Sequence, residues 1–248
     1  MSGVFRVGGD EYDNFMGRYS TVLAPLFADF AGVSAGARAL DVGAGTGALT
    51  AALLARGASV AAADPSPEFV AVLRERFAGL EIEEAPAESL PFGAGVFDVA
   101  VAQLVVAFMS DAPAAIAEMA RVARHVAVCM WGVAEVEMFA AIDRAAEAVG
   151  ASRAAEPRRY RTPQEIDDLL APHGEVESAE LDVTAGYRDF DEFWQAMDRG
   201  VGPAGQWLAS LDPDQRERAH DELFRELGSP PGPFELKARA FAAAVTPG

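Results

Sequence analysis

The chain has 248 residues, of which 51% are hydrophobic, and it carries a formal net charge of −18. This length and apolar content fit one globular α/β domain with an elaboration and exclude a disordered chain. The excess of acidic residues repels phosphate backbones and so argues against nucleic acid as a partner. The single cysteine, Cys129, lies in an apolar run, which excludes an internal disulfide and predicts a buried thiol.

The N-terminal residues do not form the apolar stretch of a signal peptide. No window approaches the roughly 18 apolar residues that a membrane-spanning helix requires. A cytoplasmic location is therefore expected.

A predicted helix over residues 11–32 precedes a region in which short β-type runs alternate with amphipathic helical stretches. Such alternation is typical of a parallel sheet with crossover helices. The predicted strands are Ala39–Val42, Ser59–Asp64, Leu80–Glu84, Phe97–Ala102 and Val126–Trp131, and the helices between them are Gly47–Arg56, Pro67–Phe77 and Ala112–Arg124. In the last of these helices, Ile116, Met119, Ala120 and Ala123 are predicted to share one face.

The C-terminal part is predicted to add two strands and further helices. Its predicted elements are a helix over Glu135–Val149, a loop over Glu156–Thr162, a helix over Pro163–Leu170, a strand over Glu177–Thr184, a helical stretch over Asp189–Leu227 broken at Gly200, Gly202 and Pro203, and a strand over Phe234–Val245. We interpret residues 1–248 as a single domain, with an N-terminal helical lid (1–36), a βα core (37–132), a C-terminal part of the sheet (133–188 and 229–248) and a helical insertion (189–228).

A glycine-rich turn, Asp41-Val42-Gly43-Ala44-Gly45-Thr46-Gly47, joins the first predicted strand to the next helix. Glycines let the chain turn tightly and let backbone N–H groups approach a ligand with no Cβ in the way. The spacing of Gly43, Gly45 and Ala48 also fits the dinucleotide motif G-x-G-x-x-A. The glycines alone therefore predict a nucleotide site without choosing its ligand.

Acidic residues separate the two interpretations. Asp41 would repel the pyrophosphate of a dinucleotide but would complement the ammonium and sulfonium of S-adenosylmethionine. Asp64 ends the next strand, 23 residues later, where an acidic side chain can accept hydrogen bonds from both ribose hydroxyls. Because that contact suits either ligand, Asp41 is the residue that favours a methyl donor.

These motifs together resemble the class I S-adenosylmethionine-dependent methyltransferases, in particular those of ubiquinone and menaquinone biosynthesis. The resemblance covers about residues 10–132 and is carried by Leu40–Gly47, Asp64–Ser66, Ala85–Phe92, Phe97–Ala100 with Gln103-Leu104, and Glu118–Val122. It implies a Rossmann-like fold with a mostly parallel seven-stranded sheet, helices on both faces and a helical insertion before the last strand. The donor-binding residues it implies are Tyr12, Arg18, Asp41, Gly43, Ala44, Gly45, Gly47, Asp64, Pro65, Ala87, Glu88, Gln103 and Leu104.

The sequence departs from the pattern of this family at two positions. Pro86 replaces the aspartate that receives the adenine amino group, so adenine recognition is expected to fall to the backbone of Ala87 and to Glu88. The Pro-Gly-Gly turn before the fifth strand is also missing, because Arg124-His125 leads directly into Val126. That turn belongs to the far end of the sheet, so its loss is expected to spare the site.

The resemblance implies methyl transfer to a small organic acceptor by in-line displacement, in which alignment of the two reactants supplies much of the acceleration. No metal-ligand spacing is present, and a general base is needed only if the acceptor must lose a proton. The candidate acceptor-pocket or catalytic residues are Tyr19, Trp131 and Tyr187, and Arg18 is expected to pair with the donor carboxylate. His125 and His173 precede strands and are therefore expected at the opposite sheet edge.

Two other functions are consistent with parts of the sequence. A nicotinamide-dependent reductase would fit the glycine spacing, but it predicts a Tyr-x-x-x-Lys pair, and the only lysine, Lys237, follows no tyrosine at that spacing. A non-catalytic adenosine-binding or interaction protein would fit the unusual Pro86. The acceptor atom (O, N or C) and the oligomeric state stay open at this point.

Overall fold

The computed structural model describes residues 15–151, 159–199 and 202–248. Their strands are β1 Arg38–Val42, β2 Ser59–Asp64, β3 Glu81–Glu84, β4 Phe97–Gln103, β5 Ala123–Trp131, β6 Val176–Tyr187 and β7 Phe234–Val245. They form one sheet in the order β3-β2-β1-β4-β5-β7-β6. The strands from β1 to β5 pair in parallel, whereas β7 pairs antiparallel with β5. The predicted α/β class with a mostly parallel, seven-stranded sheet is confirmed.

The order of the strands creates the position for a ligand. From β1 the chain runs outward through β2 to β3, and then returns to place β4 on the other side of β1. In open α/β sheets, ligands bind beyond the carboxyl ends of the strands at such a reversal. The ends of β1 and β4 therefore define where the candidate site should lie.

Local sequence signals fix where four of the described helices begin. The helices are α1 Gly17–Phe30, α2 Ala48–Ala55, α3 Pro67–Arg76, α4 Ala112–Val122, α5 Glu137–Ala148, α6 Pro163–Leu170, α7 Phe190–Asp198, α8 Gly202–Ser210 and α9 Pro213–Glu226. Ser66, Asp111, Thr162 and Asp212 each cap a helix that carries proline in its first turn. A capping side chain accepts a hydrogen bond from an otherwise unpaired N–H of the first turn. Proline is tolerated in this turn because the N–H that it lacks would have no partner within the helix.

Strand pairing overrides helix propensity at the start of β5. The predicted helix Ala112–Arg124 ends at Val122, because Ala123 is extended and pairs with Phe97 of β4. Ala123 therefore does not share the apolar face of α4, which corrects the prediction. Since α4 passes directly into β5, the structure also has no room for the missing Pro-Gly-Gly turn.

The helical stretch after β6 is broken where predicted, because α7 ends at Asp198 and α8 begins at Gly202. A second break, at Leu211-Asp212, was not predicted, and Asp212 caps α9 there. Strand β6 is also longer than predicted and extends to Tyr187. The final strand, Phe234–Val245, matches its prediction.

Backbone contacts divide the chain into two compact units. The core unit consists of Ser20–Gly132, Arg158–Asp182 and Arg239–Gly248, and the second unit consists of Met1–Tyr19, Val133–Pro157 and Val183–Ala238. The core unit contains β1 to β5 and buries Cys129 completely, which confirms the predicted core thiol. Burial raises the pKa of that thiol.

Aromatic side chains pack together in the second unit. The ring of Tyr187 stacks on Phe234 at 5.3 Å and meets Phe193 edge-on at 5.1 Å. Phe190 and Phe193 of α7 are buried, so these aromatics are core residues of their unit. Within the described residues, no helix is both long enough and apolar enough to cross a membrane.

Candidate functional site

The three glycines of the turn after β1 have positive φ angles of 71°, 55° and 93° at Gly43, Gly45 and Gly47. A Cβ at Gly43 would lie 2.9 Å from the Val105 side chain, and one at Gly47 would overlap the ring of Phe77. At Gly45 a Cβ would meet nothing within 4 Å. Packing therefore explains the first and third glycines, whereas Gly45 borders open space that a ligand can fill.

Asp64, at the end of β2, holds the glycine turn in place. Its Oδ2 accepts a hydrogen bond from the N–H of Gly45 at 2.8 Å, and its Oδ1 accepts one from the N–H of Ser66 at 2.9 Å. Burial raises the pKa of this carboxyl, and the two N–H donors oppose that rise. A carboxylate offers about four lone-pair sites, so both oxygens retain capacity for ribose hydroxyls. The clamp on Gly45 is a role that the sequence did not reveal.

Asp41, in β1, is buried, with 1% of its surface exposed. Its Oδ2 accepts a hydrogen bond from the Thr50 hydroxyl at 2.6 Å. Burial raises the pKa of Asp41 to about 7, the hydrogen bond from Thr50 opposes the rise, and the charge of Asp64 adds to it. Asp41, the residue predicted to complement the donor's positive charge, is therefore hydrogen-bonded to α2 within the core unit. Thr50 was missed because no motif marks it.

The end of β4 presents a polar side-chain atom that has no partner among the described residues. The side-chain Nε2 of Gln103 donates to the backbone oxygen of Ser20 in α1 at 3.1 Å. Its Oε1 is buried and accepts no hydrogen bond from the described residues. A buried acceptor left unsatisfied costs about 1–3 kcal/mol. A ligand ammonium would remove this penalty.

Leu104 follows with a φ of 62°, a left-handed conformation that is unusual for leucine. Its N–H donates to the backbone oxygen of Cys129 at 2.8 Å, which holds the turn against β5. Backbone strain of this kind clusters at functional sites. The open space at Gly45, the carboxylate of Asp64 and the unpartnered Oε1 of Gln103 together fit the ribose and ammonium of S-adenosylmethionine.

The segment after β3 contains the departure at Pro86. Pro86 is exposed, while Ala87 is buried and Glu88 is half-buried. The Oε1 of Glu88 accepts a hydrogen bond from the N–H of Asp111, the residue that caps α4, at 3.0 Å. Adenine recognition by Ala87 and Glu88 stays a prediction, as do donor contacts for Ala44 and for Pro65, which is exposed in the turn before α3.

An ion pair in α4 supports the same segment. The side chain of Glu118 binds Arg121 at 2.6 Å and accepts the N–H of Leu90 at 3.0 Å. Arg121 donates to the backbone oxygens of Leu90 and Phe92 at 3.1 and 2.9 Å. Arg121 thereby lowers the pKa of Glu118. The Glu118–Val122 motif thus binds the backbone of the Ala85–Phe92 motif and holds that loop in place.

Two candidate tyrosines and Arg18 lie together in the second unit. Tyr19 and Tyr187 are buried and interact through their hydroxyls, and burial raises the pKa of both. The guanidinium of Arg18 lies 4.8 Å from the centre of the Tyr187 ring and binds Glu192 at 2.6 Å. Arg18 thus has a carboxylate partner within its own unit, and its pairing with the donor stays a prediction.

An open cavity of about 490 Å³ in the second unit is lined by Arg18, Tyr187, Glu192 and Phe234. In the core unit, Trp131 is buried at the end of β5. Tyr12 lies outside the described residues.

The histidines lie where no donor contact is expected. His125 is near the amino end of β5, beside Thr246, and burial lowers its pKa. His173 ends a short 3₁₀ turn before β6, and His220 packs against the rings of Phe190 and Trp194. Among residues 15–151, 159–199 and 202–248, no group of His, Cys, Asp and Glu is arranged to hold a metal ion.

Comparisons with known proteins agree with this geometry. Residues 40–130 match the sequence profile of a methyltransferase domain family. An uncharacterized protein of Mycobacterium tuberculosis is 40% identical over 107 residues, which are 42% of this chain and 39% of that protein. The demethylmenaquinone methyltransferase of Clavibacter sepedonicus is 49% identical over 67 residues, which are 26% of this chain and 27% of that enzyme. The chain thus spans about two fifths of the length of the first of these relatives.

A structural relative shares the fold over most of its length. A candidate type II methyltransferase of Anaeromyxobacter dehalogenans superimposes with a TM-score of 0.70 and 23% identity, covering 90% of this chain and 95% of that one. The chain therefore has the class I methyltransferase fold. The predicted resemblance to the quinone-biosynthesis methyltransferases is confirmed over the 67 residues that match the Clavibacter enzyme. The matches support neither the reductase nor the non-catalytic alternative.

Proposed function

We propose that this protein transfers a methyl group from S-adenosylmethionine to a small organic acceptor by direct in-line displacement. The observation that carries the proposal is the buried Oε1 of Gln103 at the end of β4, which accepts no hydrogen bond from any residue that the structure describes. It lies at the strand reversal, where β1 leads into the glycine turn and Asp64 of β2 holds Gly45. The match over residues 40–130 supports the same reaction class.

When bound, S-adenosylmethionine supplies a methyl group that its sulfonium makes electrophilic. The protein's part is to bind and align. In this proposal Asp64 accepts hydrogen bonds from the ribose hydroxyls, and Oε1 of Gln103 accepts one from the ammonium. Because Gly45 has no side chain, the donor can lie directly against its backbone. Ala87 and Glu88 hold the adenine. Alignment of this kind supplies much of the rate in a displacement that needs no metal.

The remaining assignments are part of the same proposal. The assignment of Tyr19, Trp131 and Tyr187 to the acceptor pocket, and of residues 1–36 and 189–228 to segments that cover the ligands, stays a prediction from the sequence. Because burial raises the pKa of Tyr19 and Tyr187, each hydroxyl is neutral at physiological pH and can donate a hydrogen bond to the acceptor rather than remove its proton. The net charge of −18 disfavours nucleic acid as the acceptor. The proposal includes a cytoplasmic location for the reaction.

Calorimetric titration tests the donor site. The wild type should bind S-adenosylmethionine and its demethylated product, and it should not bind NADH. Gln103→Leu removes the acceptor for the ammonium and should weaken donor binding by roughly ten-fold. Gln164→Leu is the matched control, because Gln164 is exposed on α6, where it contacts Asp168, and should leave the affinity unchanged.

Turnover is tested by following formation of the demethylated donor with phenol, amine and quinol acceptors. Product formation that depends on one acceptor class supports the proposal. Binding of NADH alone would contradict it, and donor binding without turnover on any acceptor would favour the non-catalytic alternative.

A further inference from the structure

The contact between Thr50 and Asp41 joins α2 to the strand before the glycine turn. Thr50 is the third residue of α2 and is fully buried, and Asp41 is 1% exposed. A threonine within a helix commonly returns its hydroxyl to a carbonyl of the preceding turn. Here the hydroxyl donates to Oδ2 of Asp41 at 2.6 Å, a length typical of a charge-assisted hydrogen bond.

The surroundings of Asp41 offer little else to stabilise a negative charge. Helix α2 has the sequence ALTAALLA and carries no charged residue, and β4 faces Asp41 with Val101. From β2, the titratable group whose charge reaches it is Asp64, which opposes ionisation. Asp64 itself receives two backbone N–H groups. Among the described residues, Thr50 is thus the residue that favours the ionised form of Asp41, mainly through its hydroxyl and to a smaller extent through its backbone N–H.

We propose that Thr50 is a positioning residue for donor binding, because its hydroxyl keeps Asp41 ionised near neutral pH, where the carboxylate attracts the positively charged donor. This inference rests on the proposed function and deepens it. Burial alone would leave the Asp41 carboxyl protonated and uncharged. A hydrogen bond to the charged form acts in the opposite direction, so Thr50 sets the pH range over which the site is negative.

The pH dependence of donor affinity tests the proposal. Titrations of S-adenosylmethionine by calorimetry from pH 5.5 to 8 should show the wild-type affinity rising with pH and levelling off above about 7, where Asp41 becomes ionised. Thr50→Val should move this rise upward by about one pH unit and weaken binding at pH 7 by about five-fold. Thr50→Ser keeps the hydroxyl and should restore the wild-type profile. Asp41→Asn should abolish the rise attributed to Asp41.

Comparing variants at the same pH cancels the titration of the donor's own amino group. If Thr50→Val keeps the wild-type profile, or if Thr50→Ser behaves like Thr50→Val, the inference is wrong while donor binding stands. If the wild type binds no donor at any pH, the proposed function itself fails.

A second measurement tests the inference if Thr50→Val does not fold. Calorimetric binding enthalpies of the wild type at pH 6.5, compared between buffers of different ionisation enthalpy, give the number of protons released on donor binding. A proton should be released because the bound donor favours the ionised form of Asp41. Asp41→Asn should release less. Equal proton release by the two proteins would overturn the inference.

Discussion

Replacing Asp41 with asparagine should stabilise the protein, and more so at higher pH. Burial raises the pKa of Asp41 from its ordinary 3.8 to about 7. A group whose folded-state pKa is raised contributes stability that is present at low pH and is lost as pH rises through the folded-state value. Each pH unit between the two pKa values is worth about 1.4 kcal/mol, so the ionised carboxyl costs at most about 4 kcal/mol above pH 7.

Asparagine keeps an oxygen that can accept the hydrogen bond from Thr50, and it removes the charge. Denaturant unfolding of both proteins at pH 5, 6, 7 and 8 measures the effect. The free energy of unfolding of Asp41→Asn, relative to the wild type, should increase steadily between pH 5 and pH 7 and level off near pH 8.

The matched control is Glu84→Gln, at the exposed end of β3, which should change stability by no more than about 0.5 kcal/mol at any pH. The reasoning would be refuted if the difference between Asp41→Asn and the wild type were independent of pH or decreased as pH rises.

Three further changes test the turn and its supports. Asp64→Asn keeps only one acceptor oxygen for the two N–H groups that Asp64 binds, so it should lower the free energy of unfolding by about 1–3 kcal/mol. Calorimetry should show the donor affinity falling at least ten-fold. Unchanged affinity would contradict the ribose contact. Arg121→Ala leaves two loop carbonyls without their donor and should cost about 2 kcal/mol in denaturant unfolding, of which Arg121→Lys should recover less than half because lysine lacks the guanidinium fork. Gly47→Ala should lower the free energy of unfolding by more than about 2 kcal/mol, because the new Cβ overlaps Phe77. Gly45→Ala should lower it by about 1 kcal/mol through backbone strain and should mainly weaken donor binding. Equal effects of the two substitutions would show that the open side of Gly45 has no role.

The parts of the site that lie close together in the sequence could be predicted. The glycine turn and the strand-ending Asp64 are recognisable because a strand, a tight turn and a helix follow one another within a few residues. The strand boundaries of β2 and β7 agree with the prediction for the same local reason.

The parts that depend on distant residues could not be predicted. Gln103 binds the backbone of Ser20, 83 positions away, and no pattern in either segment indicates the pairing. Thr50 is an ordinary threonine until the fold places it against Asp41. Arg121 belongs to a recognised motif, but its contact with the Leu90 loop follows from the packing of α4.

Tertiary contacts also decided the element boundaries that were wrong. Ala123 and Arg124 suit a helix by propensity, yet strand pairing with β4 begins at Ala123. Pairing along a sheet brings together residues that are far apart in sequence, so a local window does not register it.

A crystal structure of the protein with bound S-adenosylhomocysteine, the demethylated product, would test the proposed donor site. We expect the ribose hydroxyls within hydrogen-bond distance of the Asp64 carboxylate, the ligand beside the backbone of Gly45, and the ligand ammonium within about 3 Å of Gln103 Oε1. A ligand bound elsewhere, or bound at the turn with the Gln103 oxygen still unpartnered, would contradict it.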